Sequence, residues 1–448
     1  MNAPSTPERA RLLLRQWRQG LALSGRERSL LGGPLAALDG QLRRLEQRQL
    51  RLAVFGRVGV GKSSLINALV GDAVVATDVA HGCTREQRAV PWSEPIAGLA
   101  GLELVDTPGI DEIAGAGRTR LAERVCRGAD LVLLILDGDL NRVDQEALEP
   151  LLASGKPLQL VLNRSDCWSD QERQSLLHAI GERLKAVLPP GTASLEPVAV
   201  AAAPRGARLL ADGRVRSEPM PAEVAPLRRR LVDLLERDGA LLLAINSLQA
   251  AEWFQIQLQR ERLGRGRRAA QGLIGRYAAL KATGVVANPL MLLDLAGGLA
   301  CDTALVAQLS RLYGLPIDGP TARRLLARLS RHNALLGGTQ LGLQVLLGGL
   351  RQLLLLAAPL SGGLSLAPAA PVALAQAALA VHTTRRAGRL AAAELLRHSG
   401  GGGQPGALLR RLAASDPDMQ RWLEPSRTWG RDPRRRPAEA AGLQSLLP

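Results

Sequence analysis

The stretch RLAVFGRVGVGKSSLINALV, Arg51 to Val70, decides the fold. Its opening residues, Arg51 to Phe55, are a short β-rich run. GRVGVGKS, Gly56 to Ser63, then matches G-x-x-x-x-G-K-[ST], and Ser63 to Val70 reads as a helix. A strand, a glycine-rich loop and a helix, in that order, close backbone N–H groups around a phosphate. Lys62 sets a point charge on the β- and γ-phosphates, and Ser63 offers its hydroxyl to Mg²⁺. The candidate cradle is Gly56, Arg57, Val58, Gly59, Val60, Gly61, Lys62, Ser63 and Ser64. A chance match in a glycine-rich chain is outweighed by three further motifs that follow.

The first is DTPG, Asp106 to Gly109, directly after the strand-like GLELVD. Asp106 can hold Mg²⁺ through water, and the Gly109 amide can sense the γ-phosphate. The second is NRSD, Asn163 to Asp166, closing the run LQLVLN. Asp166 would accept hydrogen bonds from guanine N1–H and N2–H₂, a donor pair that adenine lacks. Arg164 stands where lysine is usual, which bears on base stacking and not on base identity. The third is a threonine to complete the metal site, with Thr77 and Thr84 as candidates. Thr84, in HGCTR, is favoured. Further on, AVAAAP at Ala199 to Pro204 places an amide near Ala202 within reach of guanine O6. The nucleotide is therefore expected to be GTP or GDP with Mg²⁺. Lys62 and Thr84 are the expected catalytic groups, and Ser63, Thr84 and Asp106 the metal ligands.

The apolar runs GLELVD, DLVLLILDGD, LQLVLN and PVAVAAA alternate with helical stretches. That alternation predicts an α/β domain with a mostly parallel sheet covered on both faces. The domain is expected over residues 51–240, after an N-terminal helical segment, 1–50, with a break near Gly32-Gly33-Pro34. A linker helix follows over 241–280, then an apolar, mostly α-helical domain over 281–398. A flexible Arg/Pro-rich tail, 399–448, opens with SGGGGQPG.

With its motifs in place, the 51–240 region resembles the translation-factor-related GTPases, near the Era-like and dynamin-like groups. The run from Lys281 to Gly314 is similar to an uncharacterised helical domain that follows GTPase domains in bacterial proteins, cyanobacterial ones among them, and that also occurs in the YcjF type of inner-membrane protein. The resemblance implies slow GTP hydrolysis. Ile110 occupies the place of the glutamine that orients water in Ras-like relatives, and Gly59 the place of the usual K⁺ ligand. A partner or dimerisation would then accelerate turnover, with Arg85 and Arg118 as possible charge stabilisers.

Composition narrows the role without fixing it. The chain has 448 residues, 2% aromatics and a net charge of +16. A leucine- and alanine-built core favours packed helices, and the basic balance favours a polyanion or an anionic membrane face. Four cysteines without metal-ligand spacing speak against zinc and against a disulfide framework. The N-terminus does not read as a secretory signal. Leu353 to Val381 holds no charged residue, yet Pro359, Pro368 and Pro371 interrupt it. Basic residues flank the apolar domain at Arg265, Arg267, Arg268, Arg385, Arg386 and Arg389. The expected role is a membrane-associated regulatory GTPase, its nucleotide domain on the cytoplasmic side, with a homodimer possible. The alternatives are an RNA-binding or ribosome-assembly GTPase, for which no KH pattern is found, and a nucleotide-stabilised scaffold with little hydrolysis.

Overall fold

The computed structural model describes residues 4–75, 88–112, 116–188, 195–209, 214–287, 291–313, 366–397 and 404–431, together with residues 327, 346, 350 and 353. The chain forms two compact units. One comprises Met1–Gln19, Gly32–Phe254 and Pro405–Pro437; the other comprises Gly20–Leu31, Gln255–Gln404 and Ala438–Pro448.

The first unit is a six-stranded sheet in the order β2-β3-β1-β4-β5-β6. Its strands are β1 (Gln49–Gly56), β2 (Arg88–Trp92), β3 (Gly101–Asp106), β4 (Leu131–Leu136), β5 (Leu158–Leu162) and β6 (Val198–Ala199). All neighbouring strands run parallel except β2, which pairs antiparallel with β3. Every residue of β4 is buried, as expected for a central strand covered on both faces. Alternation along the strands divides the core in two. Leu52, Val54, Leu131, Leu133 and Ile135 face α4 (Lys62–Val70) and the first turns of α8 (Ala225–Ala287), through Leu65, Leu69, Leu227 and Leu231. Phe55, Val132, Leu134, Leu136 and Leu160 face α5 (Ala116–Gly128), α6 (Arg142–Ala153) and α7 (Asp170–Val187), through Val125, Leu148 and Leu184. Each leucine so buried contributes roughly 1.5–3 kcal/mol.

Two more helices complete this unit at the N-terminus. In α1 (Thr6–Gln19), Ala10, Leu14 and Trp17 are buried at helical spacing. The helix α3 (Gly32–Gln47) begins at Gly32, so the expected break falls at Leu31 and the Gly-Gly-Pro run is its first turn. Three strands were not anticipated. They are β2 and a separate antiparallel hairpin, β7 (Arg205–Leu209) with β8 (Val215–Pro219).

In the second unit, α2 (Gly25–Leu30) joins the later part of α8, α9 (Met291–Leu312) and α10 (Leu366–Arg397). Leu263, Ala270 and Ile274 of α8 pack with Leu305, Leu309 and Tyr313 and with Ala391 and Leu395 of α10. Gly266 makes this possible, because a Cβ there would stand 2.6 Å from the Tyr313 ring. Arg262, itself buried, donates to Glu27 at 2.8 Å and to the Ala22 carbonyl at 2.8 Å, fixing α2 in place. Among the described residues, no helix is long and apolar enough to cross a membrane.

Two expectations are corrected. The linker helix does not stand alone: α8 runs unbroken for 63 residues and contributes to the cores of both units. The tail is not flexible throughout, since α11 (Pro405–Ser415) and α12 (Pro417–Arg431) fold within the first unit. Leu408 and Leu412, then Met419 and Leu423, are buried at i, i+4 spacing, while Arg411 and Arg421 stay outside. The arginines made the segment look disordered, but they occupy one face of each amphipathic helix.

Candidate nucleotide site

The parallel register brings the C-terminal ends of β1, β3, β4 and β5 to one edge of the sheet. Val54 lies beside Asp106 and Gly56 beside Ile135. The strand order turns outward on either side of β1, and ligands of open α/β sheets bind at such a crevice. Gly56, Gly59 and Gly61 all have positive φ, which lets the loop curl over the start of α4. Gly61 has a second constraint, because a Cβ there would lie 2.3 Å from Asn163 Nδ2.

The two candidate metal ligands, Ser63 and Asp106, are in contact. Ser63 Oγ donates to Asp106 Oδ2 at 2.8 Å, and Asp106 is fully buried. Thr107 Oγ1 donates to the Val54 carbonyl at 2.8 Å and so fixes the turn that follows β3. These hard oxygen donors fit Mg²⁺, which takes few protein ligands and fills its shell with phosphate oxygens and water. The Ser63–Asp106 contact is the candidate metal site, and among the described residues there is no group of three or more His, Cys, Asp or Glu that could hold a metal. Lys62 is folded back on its own loop, with Nζ 3.1 Å from the Gly56 carbonyl and 2.7 Å from that of Arg57. A phosphate bound in the loop would compete with those two carbonyls for the ammonium.

On the base side, Asn163 braces the site. Its Nδ2 donates to the Val60 carbonyl at 2.8 Å, and its Oδ1 accepts from the Ala202 amide at 3.0 Å. The Ala202 amide is thus given to Asn163, and the exposed turn residue after it is Ala203. Arg164 takes a left-handed backbone, φ 59°, and its guanidinium donates to the Gly59 carbonyl at 2.6 Å. Asp166 sits exposed in the 3-10 turn Ser165–Cys167, and among the described residues its carboxylate has no partner. Thr77, Thr84 and Arg85 lie outside the described residues. Ser64 follows Ser63 in the first turn of α4, and Val60 is buried beneath the loop.

Sequence reasoning missed three carboxylates. Arg57 Nε lies 3.2 Å from Asp144 Oδ1, and its Nη2 lies 2.5 Å from Asp137 Oδ1. Arg164 reaches the other Asp137 oxygen at 3.9 Å, so Asp137 stands between two arginines of the site. Burial pushes the Asp144 carboxyl above its usual range, against the pull of Arg57. Asp144 also caps α6 through the Asn141 amide. The third carboxylate is Asp111, whose Oδ1 accepts from the Val58 amide at 2.7 Å. Asp111 stands two residues after DTPG, and Asp137 lies inside the run DLVLLILDGD at the end of β4. Ile110 is fully buried beneath the site, and Arg118 is engaged by Glu146.

Comparison with known proteins agrees with this geometry. The family described as "50S ribosome-binding GTPase" matches residues 51–164, and "Domain of unknown function (DUF697)" matches residues 248–415. The chain is 39% identical over 154 residues to the tRNA modification GTPase MnmE of Lactobacillus delbrueckii, covering 32% of this chain and 30% of that protein. It is 37% identical over 121 residues to the GTPase Der of Rhizobium johnstonii, covering 26% of this chain and 25% of that one. The chain therefore spans about a third or less of these relatives' length. Among solved structures, Era from Aquifex aeolicus bound to GDP·AlF₄⁻ is 22% identical, with a TM-score of 0.32, covering 41% of this chain and 56% of that one. The sequence relatives and the assembled loops together identify a P-loop GTPase domain, similar to those of MnmE and Der, followed by a DUF697 domain.

Proposed function

We propose that this protein is a guanine-nucleotide switch that binds GTP and GDP with Mg²⁺ and hydrolyses GTP slowly by itself. The observation that carries the reading is the juxtaposition of Ser63 with Asp106 under a glycine cradle, with the Asp166 carboxylate waiting at the base side. Lys62 and the loop amides hold the phosphates. Ser63 and Asp106 hold the metal, which polarises the γ-phosphate when bound. Slow turnover follows from Ile110, which is buried in the core and cannot orient a water. Arg118 is held by Glu146, and Gly59 offers no side chain to a monovalent cation. A second copy or a partner protein then supplies the missing group. Single-turnover hydrolysis with GTP and ATP side by side tests the switch. Equal rates and affinities for the two nucleotides overturn it.

The nucleotide state is passed to the helical region, which works at the cytoplasmic face of a membrane. The support is the charge-free stretch 353–381 and the arginines that follow it at Arg385, Arg386 and Arg389. Contact of that kind is peripheral, with basic residues on anionic headgroups. A second reading, an RNA- or ribosome-assembly GTPase, draws support from the family name "50S ribosome-binding GTPase", matched at residues 51–164, and from the relative named "tRNA modification GTPase MnmE". Cell fractionation separates the two. Recovery with membranes, released by high salt or detergent, supports the first; recovery with ribosomes in a magnesium-containing gradient supports the second.

A further inference from the structure

The P-loop amide of Val58 is already taken by an anion from this chain. Asp111 Oδ1 accepts that N–H at 2.7 Å, a short charge-assisted bond. Gly109 lies at the same place, since a Cβ on it would stand 2.9 Å from Val58 N and 3.2 Å from Asp111 Oδ1. The glycine, the carboxylate and the amide thus meet at one end of the cradle. The alternation of residues there is forced by packing: Ile110 turns fully into the core, which leaves Asp111 on the outer side, towards the loop. Gly109 belongs to DTPG, the motif whose amide is expected to meet the γ-phosphate. A carboxylate carries a negative charge and acceptor oxygens, as a terminal phosphate does.

We propose that Asp111 is an internal stand-in for the γ-phosphate and sets the preference of the site between GDP and GTP. GDP ends at the β-phosphate and leaves the Asp111–Val58 bond in place. GTP brings further negative charge to that end of the cradle, so the carboxylate must swing away and give up its N–H. The DTPG turn is thereby latched to the P-loop in the empty and GDP-bound states, and the γ-phosphate releases it. The inference rests on the guanine-nucleotide reading given above.

The test uses the full chain and its Asp111→Asn and Asp111→Ala variants, titrated with fluorescent GDP and with a fluorescent non-hydrolysable GTP analogue at fixed Mg²⁺. Asp111 is exposed, so neither change threatens the core. Both variants are expected to bind GDP within about twofold of the parent and to shift the GDP-to-GTP-analogue affinity ratio towards the analogue by about tenfold. Asp111→Asn keeps an acceptor for Val58 and removes only the charge, so a shift there assigns the effect to charge. An unchanged ratio in both variants, or equal loosening of both nucleotides, overturns the latch. If the unmodified chain binds neither nucleotide, the switch reading fails and takes the latch with it.

Discussion

Replacing Asn163 by alanine tests whether the base-side motif holds the phosphate loop together. The side chain is 2% exposed, and both of its bonds are internal: Nδ2 to the Val60 carbonyl at 2.8 Å and Oδ1 from the Ala202 amide at 3.0 Å. Truncation strands one backbone acceptor and one backbone donor. A stranded buried polar group costs about 1–3 kcal/mol. Taking the lower half of that range for each group, the pair costs about 2–4 kcal/mol. That corresponds to roughly 30- to 1000-fold in an equilibrium constant.

The loss should be local, because the Asn163 main chain stays in place through its own bond to the Leu136 carbonyl at 2.7 Å. Hydrogen–deuterium exchange of the full-length variant reads it directly. The peptide containing Ala202 should lose protection, and so should the peptide containing Val60. Affinity for GDP should fall at least about tenfold, since the loop that cradles the phosphates is the part let go. Asn163→Asp should be worse than the alanine change. It sets an oxygen against the Val60 carbonyl and places a charge where water cannot reach it. If Asn163→Ala binds GDP within twofold of the parent and the Ala202 peptide exchanges as before, the bracing argument is refuted.

Asp166→Asn should weaken GTP binding and shift preference towards xanthosine triphosphate, whose O2 accepts where guanine donates; competition between the two nucleotides measures it. Ser63→Ala should raise the Mg²⁺ concentration needed for GTP binding, read by titrating the metal against labelled GTP, because one of the two paired oxygens is removed. Exchanging Na⁺ for K⁺ should leave single-turnover hydrolysis within about twofold, because Gly59 gives a cation no side-chain ligand. In the second unit, burial works against the Glu27 charge, but hydrogen bonds from Arg262 and the Ser24 amide outweigh it and bring its pKa from 4.5 to about 2. A depressed carboxyl stabilises the folded state above pH 4.5, and that contribution is lost as pH falls from there to about 2. Acid titration followed by circular dichroism should show this step, and Glu27→Gln should abolish it.

Legibility followed the density of local constraint. GRVGVGKS could be read outright because the loop conformation admits glycine at Gly59 and Gly61 and little else. The strand β4 was equally clear, because LVLLIL is apolar on both faces of the sheet. The strand β2 was not, since RAVPW buries only Val90 and Trp92 and contains Pro91, which an edge strand tolerates and a central one does not. The hairpin of β7 and β8 is largely exposed and has no apolar stripe to betray it. Asp111 and Asp137 could not be assigned from sequence. Their partners, Val58 and Arg57, lie 53 and 80 positions away, and only the fold brings them within reach.

A motif-based boundary at residue 50 is not a boundary in the packing. At the end of the sheet opposite the nucleotide loops, Asp130 is fully buried just before β4. It accepts from the Gln41 side chain at 2.8 Å and from the Arg51 amide at 3.0 Å, and its carbonyl accepts from Asn246 at 2.9 Å. Gln41 belongs to α3 and Asn246 to α8, so one carboxylate ties two flanking helices to β1 and β4. A buried charge without those donors would cost several kcal/mol, so helices that carry no part of the nucleotide motif are required for the domain that does. The two ends of the sheet divide the labour. One keeps its polar groups in loops that can change partners when phosphate arrives, and the other consumes them in a closed network that holds the strands in register.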